Sequence, residues 1–311
     1  MSLVADKIFT SYLNNIEKLN LDQQFHFFSR LYLWYKHPFF LEKLKQLQPQ
    51  YLGENPEDQH QLITRVLNDQ KEYDYNCFEL RQPALGLIPD ITKIDRALFK
   101  CLFGDTIFDT DLSQALIKQV PLKKLKNIKA TLLKDDQSFR LLSTIAINFL
   151  YLFENTINKQ DTSYIVKKAL KNLEKYDLSN PCHIILAIYL LTHCIIGESK
   201  YYKISPVKGL LYKQALSDIH EIIVSHYFEL HLDVKLEYLV CCHLCNEESS
   251  IKGVILNEAK NSLTTQNGRS YLIDRFSLNP QKHRTTFETS EHRNVLYLLA
   301  VNNDHFIKQN V

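Results

Sequence analysis

Strongly apolar segments alternate with amphipathic segments through the second half of the chain. The apolar segments span residues 139–154, 181–196, 234–247 and 291–302, and the amphipathic segments span residues 163–177, 209–229 and 252–265. In each segment the apolar residues recur at helical spacing. A helix that is apolar nearly all round is enclosed by other helices, whereas a helix with a polar stripe lies at the surface. The pattern therefore predicts an inner and an outer layer of helices.

This alternation is typical of stacked α-helical hairpins. We therefore predict an all-α protein whose hairpins form either an α/α toroid with a central cavity or an open solenoid with a concave groove. The chain is expected to be a single helical domain over residues 1–311. It can be subdivided into an N-terminal helical part, residues 1–135, and the hairpin repeats of residues 136–311.

The first half also has mostly helical periodicity. Predicted helices lie at residues 3–18, 22–37, 38–48 and 55–68. Asp22 is the predicted cap of the second helix, and Pro38 the predicted first-turn residue of the third. Residues 71–95 contain two prolines and a glycine and are predicted to be mostly loop, so the role of residues 70–110 is left open.

Two further segments allow more than one interpretation. Residues 118–134 are rich in lysine, but leucine and isoleucine recur there at helical spacing. We interpret the segment as an amphipathic helix with a solvated basic face rather than a phosphate-binding patch. Residues 266–290 are predicted to be a long loop, either a lid-like functional loop or partly disordered.

Composition narrows the fold and the partners. Seven glycines and nine prolines in 311 residues allow few tight hairpins, which argues against an all-β fold. Lys and Arg total 37 against 35 for Asp and Glu, a net charge of +2. That balance gives no general attraction to nucleic acid or to an anionic membrane. The longest apolar stretches, residues 141–153 and 183–196, are shorter than the ~18–20 residues of a membrane span.

The cysteines and the N-terminal sequence indicate a compartment. The chain has seven cysteines, and its first residues lack a basic region followed by an apolar core. An odd number of cysteines without a signal peptide predicts reduced thiols and a cytoplasmic location.

The last predicted helix carries a family resemblance. Together with the inner and outer alternation, TSEHRNVLYLLAV (residues 289–301) resembles the last hairpin of α/α-toroid proteins, which include terpene cyclases, protein prenyltransferases and lanthionine cyclases. YLLTHCIIGESKYYK (residues 189–203) is similar to bacterial helical proteins encoded near natural-product genes. The resemblance covers residues 135–305 and implies a role in natural-product or peptide maturation. The aspartate-rich motifs of terpene cyclases and the Cys-His-Gly zinc motif of lanthionine cyclases are absent, so no catalytic residue is carried over.

The segment CCHLCNE, residues 241–247, concentrates thiols. On a helix, Cys241 and Cys245 share a face. A structural zinc site needs a second ligand pair, which would have to come from another inner helix, for example from His193. A redox Cys-x-x-Cys site needs a βαβ context that the pattern does not provide. We favour small buried residues on a tightly packed helix, and zinc stays the alternative.

Five residues are the candidate ligand contacts. His193 lies late in an inner helix, where it could hold or move a proton, with Glu198 and Tyr201 just after it. His292 and Arg293 open the last inner helix, whose N-terminus would attract an anion. The alternatives are a buried histidine with a carbonyl partner, a plain loop around residue 198, and a helix start capped by its preceding serine.

Three functional hypotheses follow. The first is a binding protein that holds a small molecule or peptide in the cavity or groove, lined by apolar and tyrosine side chains. The second is an enzyme of the same fold that uses a cavity histidine as acid or base, or zinc. The third is a helical-repeat adaptor that binds another protein. Three histidines on or just beyond an outer helix are predicted to be surface residues: His220, His226 and His231.

Overall fold

The computed structural model describes residues 2–69, 77–276 and 285–311, and these residues are mostly α-helical. The sheet among them has two strands. The predicted all-α class is therefore confirmed.

The elements of the described residues follow in chain order. The helices are α1 (Ser2–Asn14), α2 (Leu21–Tyr35), α3 (Pro38–Leu52), α4 (Pro56–Asn68), α5 (Phe78–Leu87), α6 (Ile91–Ile107), α7 (Leu112–Gln119), α8 (Leu122–Lys134), α9 (Asp136–Leu142), α10 (Thr144–Leu152), α11 (Ser163–Leu173), α12 (Pro181–Glu198), α13 (Leu210–Ser225), α14 (Leu232–Cys245), α15 (Lys252–Asn261), α16 (Glu291–Val301) and α17 (His305–Asn310). The strands are β1 (Leu263–Gln266) and β2 (Arg269–Leu272). Short 3₁₀ turns lie at Ile16–Lys18 and Tyr227–Glu229, and a π-helical turn lies at Phe153–Asn158.

Two compact units divide the chain. Unit 1 contains residues 1–47 and 201–311, and unit 2 contains residues 48–200. Unit 1 is thus assembled from both ends of the sequence, whereas unit 2 is continuous. The boundary after residue 47 falls inside α3, and residue 135 falls inside unit 2. The single-domain organisation stays a prediction.

Unit 1 is built around α14 and α16, which pack against each other. Every residue of α14 is buried except His243, and nearly every residue of α16 is buried as well. α2 packs on α16, α13 and α15 pack on α14, and α1 contacts α17 and β2. The two helices at the centre are therefore enclosed by the other helices of the unit.

Unit 2 is built around α10 and α12. α10 packs against α12 and α6, α4 packs against α6 and α7, and α5 packs against α9. All nine residues of α10 except the first are buried. α12 is buried from Ile184 to Gly197 apart from Tyr189 and His193. These helices form the core of the unit.

The distinction between enclosed and amphipathic helices is confirmed by burial. The predicted inner segments 181–196 and 234–247 lie in α12 and α14, which are buried. The predicted outer segments at α11 and α13 bury one face and expose the other. The lysine-rich segment forms α8, which buries Leu125, Ile128 and Leu132 and keeps most of its lysines exposed. Its interpretation as an amphipathic helix is confirmed.

The loop predicted over residues 71–95 is wrong where the structure describes it. Residues 78–87 form α5 with Pro83 inside it, α6 begins at Ile91, and residues 71–76 lie outside the described residues. α5 buries Arg81 and Ala84 and packs against α9. This packing offsets the helix cost of the proline, which a local pattern cannot anticipate.

The start of α2 also differs from the prediction. Asn20, not Asp22, is the N-cap. The Asn20 side chain accepts a hydrogen bond from the Gln23 backbone N–H, and the Gln23 side chain accepts one from the Asn20 N–H. This reciprocal pair is a capping box, which satisfies two otherwise unpaired donors at the helix start.

A β-hairpin replaces the predicted end of one helix and the start of the following loop. Leu263 pairs with Leu272, and Gln266 pairs with Arg269. The turn residues Asn267 and Gly268 both have positive φ, 51° and 74°, as a two-residue Asn-Gly hairpin requires. The Asn-Gly dipeptide was the sequence signal for this hairpin. Residues 277–284 of the predicted loop lie outside the described residues.

Gly197 follows the predicted apolar segment 181–196 and still belongs to a helix. It lies inside α12, where a Cβ would come within 2.5 Å of the Tyr151 ring. The helix continues through Glu198 and therefore reaches 18 residues. By length and composition α12 could cross a membrane, but 67% of it is buried within the protein. A core helix has the same properties, so this is weak evidence of a membrane span.

Candidate functional site

His193 is held by a carboxamide inside unit 2. Its Nδ1 lies 2.7 Å from Oδ1 of the buried Asn148 on α10, and the edge of its ring faces Tyr189 at 6.1 Å between centroids. A carboxamide oxygen only accepts hydrogen bonds, so Nδ1 carries the hydrogen in this arrangement. His193 is partly exposed on an otherwise buried helix. Asn148 therefore fixes the orientation of the imidazole.

Glu198 ends the same helix but lies on another side of it. Its Oε2 accepts a hydrogen bond from the Thr162 hydroxyl at 2.7 Å. Five residues of α-helix turn a side chain by about 140° relative to His193. The role of each residue as a ligand contact stays a prediction.

Tyr201 belongs to unit 1 and is buried with Tyr202. The Arg30 guanidinium of α2 lies 5.7 Å from the Tyr201 ring centroid and 5.1 Å from that of Tyr202. The Trp34 ring meets Tyr202 edge to face at 5.9 Å. Burial raises the pKa of Tyr202 above its ordinary value. Cation–π and aromatic contacts therefore fix this turn to α2.

Arg293 is completely buried in unit 1. Its Nε donates to Oδ1 of Asp233 on α14, and its Nη1 lies 3.4 Å from the Leu272 carbonyl oxygen at the end of β2. One guanidinium thus joins α16, α14 and β2. The Asp233 carboxylate compensates the charge of Arg293. Binding of a ligand anion by Arg293 stays a prediction.

His292 lies next to an imidazole–carboxylate pair. Both carboxylate oxygens of the buried Glu291 lie close to Nδ1 of His26, at 2.9 and 3.1 Å. The His292 ring centroid is 5.3 Å from that of His26. A carboxylate at Nδ1 orients an imidazole for accepting a proton at Nε2, which is the arrangement of general bases. Sequence reasoning missed this pair because His26 and Glu291 lie on helices from opposite ends of the chain.

The thiols of α14 are buried. Burial raises the pKa of Cys242 to about 11 and that of Cys245 to about 12, so both are protonated at neutral pH. Nε2 of His243 lies 2.9 Å from the Ala300 carbonyl oxygen. The alternative zinc set is divided between the units, since Cys241 and Cys245 lie in unit 1 and His193 in unit 2. In the described part of the chain, no group of three His, Cys, Asp or Glu side chains is placed to hold a metal ion.

Two of the cysteines predicted to be reduced form a disulfide. Cys77, just before α5, is bonded to Cys182 in the first turn of α12, and both lie in unit 2. The other five cysteines are buried thiols outside this disulfide. The number of cysteines could not reveal this bond, because seven cysteines permit from zero to three pairs. The surface prediction is also wrong for His231, which is buried at the N-cap of α14.

A small pocket in unit 2 brings together polar side chains from four helices. Its volume is about 260 Å³. α4, α6 and α8 supply side chains to it, together with the end of α7 and the start of the segment that follows. The lining residues are Thr64, Leu67, Asn68, Asp90, Lys93, Ile94, Gln119, Val120 and Lys124.

Most polar groups of this pocket are bonded to one another or to nearby backbone. The Lys124 ammonium pairs with the Asp90 carboxylate. The Thr64 hydroxyl donates to Oε1 of Gln119 at 3.0 Å, and the Gln119 amide donates to the His60 carbonyl oxygen at 2.9 Å. These contacts fix the walls of the pocket before any ligand arrives.

No pattern in the sequence indicated this pocket. Its residues are spread over residues 64–124, and the helix carrying Lys93 begins within the segment predicted to be mostly loop. Lys124 was predicted to lie on the solvated basic face of an amphipathic helix. A scan against protein-family models, a search of curated proteins and a search of solved structures found no match to the chain.

Proposed function

We propose that the protein binds a small molecule in the pocket between α4, α6 and α8. The observation that supports this most directly is a preformed cavity of about 260 Å³ where polar and apolar side chains converge. Small-molecule sites are concave and combine apolar contact area with polar groups that orient the ligand. This pocket has both, with three apolar and six polar lining residues.

The volume limits the size of the ligand. Typical sites for drug-sized molecules span ≈ 300–1,000 Å³, so this pocket is below that range. A ligand smaller than a drug-sized molecule therefore fits this pocket best.

The lining gives the ligand two kinds of contact. Leu67, Ile94 and Val120 provide apolar surface from α4, α6 and the residue after α7. Asn68 and Lys93 add polar groups on α4 and α6. A small molecule with a short carbon skeleton and one polar or charged group would use both.

A fragment screen tests this proposal with a blocked pocket. Thr64→Trp places an indole on the α4 wall, whereas Gln61→Trp places the same side chain on the exposed side of that helix. We expect ligand-observed NMR to find fragments that bind the natural protein and Gln61→Trp equally. Thr64→Trp should weaken them at least about tenfold, since the volume that they need is filled.

Two results would contradict the proposal. One is the absence of any fragment hit on the natural protein, and the other is a set of hits whose affinities survive in Thr64→Trp. Circular dichroism and thermal melting of both tryptophan variants serve as folding controls, so a loss of binding through unfolding is recognised.

We also propose that the helical hairpins are arranged as an α/α toroid or solenoid. The alternation of enclosed and amphipathic helices between α10 and α16 supports this arrangement. Small-angle X-ray scattering distinguishes a closed ring from an open superhelix. An enzymatic role, an adaptor role and a place in natural-product or peptide maturation stay predictions.

A further inference from the structure

We propose that this pocket selects a small oxyanion, a carboxylate or phosphate group on a short carbon skeleton or alone, and that Lys93 recognises its charge. The inference rests on the proposed function, because it names the chemical class of ligand for the same pocket.

Lys93 differs from Lys124, the other cation in the lining, and from Arg96 on its own helix. Lys124 on α8 is paired with Asp90. Arg96, on α6 with Lys93, is paired with Asp69 at 2.7 Å. Among residues 2–69, 77–276 and 285–311, the Lys93 ammonium makes no hydrogen bond or ion pair, although it lines the pocket and is partly buried. Its charge is therefore available to a ligand.

The charges of the lining leave one positive charge uncompensated. Asp90 contributes one negative charge, and Lys93 and Lys124 contribute one positive charge each. The Asp90–Lys124 ion pair is internally neutral, so the net charge resides on Lys93. A monoanion compensates that charge, a neutral ligand does not, and a cation is repelled.

A second donor lies on the facing helix. The Asn68 side chain at the end of α4 makes no hydrogen bond within the described part of the chain, and its carboxamide nitrogen can donate twice. Thr64 and Gln119, by contrast, already bond to each other. The donors that remain for a ligand are thus an ammonium and a carboxamide, which suit an oxyanion with several acceptor oxygens.

The helix dipoles do not decide the preference. The positive end of α6 starts at the pocket, but α7 ends there at Gln119 with its negative end. The two dipoles oppose each other, so the lysine determines the sign of the ligand. The apolar side chains of Leu67, Ile94 and Val120 would contact the carbon skeleton of an organic acid.

Three probes of similar size separate the effect of ligand charge from the effect of ligand size. Butyrate, butanamide and butylammonium have similar size and differ in charge, and inorganic phosphate serves as the probe without a carbon chain. Affinities are measured at constant ionic strength from chemical-shift changes of the full-length protein. We expect butyrate or phosphate to bind, butanamide to bind at least about tenfold more weakly, and butylammonium not to bind.

Substitutions identify the responsible lysine. Lys93→Gln should weaken the anion about tenfold to a hundredfold and leave butanamide unchanged, and Lys93→Arg should retain most of the affinity. Lys126→Gln removes a charge from the exposed face of α8 and should change nothing beyond about twofold. The Lys93 variants should melt at the temperature of the natural protein, because Lys93 has no partner to lose in the described structure.

The outcomes separate this inference from the proposed function. If neutral or cationic probes bind as tightly as the anions and Thr64→Trp blocks them, the pocket binds ligands but the oxyanion preference is overturned. If anions bind and Lys93→Gln leaves their affinity unchanged, the assignment to Lys93 is overturned. If no probe binds and the fragment screen is also negative, both proposals fail.

Discussion

A single buried side chain can hold three elements of a unit together when a neighbouring side chain of opposite charge compensates its charge. Arg293 is fully buried, and its guanidinium contacts Asp233 of α14 and the Leu272 carbonyl of β2. Lys235 is buried in the same way, with Nζ 2.9 and 3.0 Å from the two Glu258 oxygens. Buried charges persist only when they are paired, since the unpaired ion costs several kcal/mol. The core of unit 1 is therefore sensitive to the loss of one partner.

We expect Arg293→Ala to destabilise unit 1 by about 3–5 kcal/mol, because the Asp233 carboxylate would remain buried without its partner. Replacing both residues, Arg293→Met with Asp233→Leu, should recover most of that loss. Arg275→Ala, at an exposed arginine, should stay within about 0.5 kcal/mol. Urea unfolding measures all three, and an Arg293→Ala protein as stable as the Arg275→Ala protein would show that the ion pair contributes little.

These pairs mark a limit of what the sequence predicts at the scale of residues. The enclosed character of α14 and α16 was predicted, as was a helix start near Arg293. The partner Asp233 lies 60 residues away, and no local pattern connects the two. The same holds for His26 and Glu291, 265 residues apart. Charges inside apolar helices were visible in the sequence, but their pairing depends on tertiary structure.

At the scale of elements, one glycine allows two core helices of unit 2 to approach closely. A Cβ at position 197 of α12 would lie 2.5 Å from ring atoms of Tyr151 on α10. Tyr151 is itself completely buried and cannot swing into solvent. The glycine is thus required by the packing of α10 against α12, although glycine is a poor residue for a helix interior.

Gly197→Ala should therefore destabilise unit 2 by about 1–3 kcal/mol through overpacking against Tyr151. Gly86→Ala provides a matched control in α5, where the added methyl group has no atom within 4 Å. There the better helix propensity of alanine should stabilise by about 0.5 kcal/mol. Thermal melting distinguishes the two signs, and a stabilising Gly197→Ala would contradict the close approach.

Element prediction succeeded where periodicity was long and failed where packing or turn chemistry decided. The helices at the start of the chain and the enclosed helices of the second half follow their apolar spacing. α5 was missed because Pro83 is tolerated by packing on α9, and the β-hairpin was missed because its strands have only four residues each. The pocket could not be predicted from the sequence, because it forms only where α4, α6 and α8 converge in the folded structure.

At the scale of the molecule, a disulfide closes a long covalent loop in unit 2. Cys77 and Cys182 are 105 residues apart in sequence. A crosslink over so long a loop removes much of the freedom of the unfolded chain, which stabilises the folded state in the chain-entropy account. The bond links the starts of α5 and α12.

Removing this bond in Cys77→Ala/Cys182→Ala should cost unit 2 about 2–5 kcal/mol. Dithiothreitol should lower the melting temperature of the natural protein and leave that of the double variant unchanged. Alkylation under denaturing, non-reducing conditions should label five of the seven cysteines. Labelling of all seven in freshly purified protein would contradict the disulfide.

The division of the chain has a consequence during synthesis. Residues 48–200 form a continuous unit that can fold as soon as they leave the ribosome, whereas unit 1 needs residues 201–311 as well as residues 1–47. At about 5–20 residues per second, the first helices wait on the order of ten seconds or more for their partners. The apolar faces of α1 and α2 are exposed throughout that interval, so nascent chains of this protein should be clients of ribosome-associated chaperones.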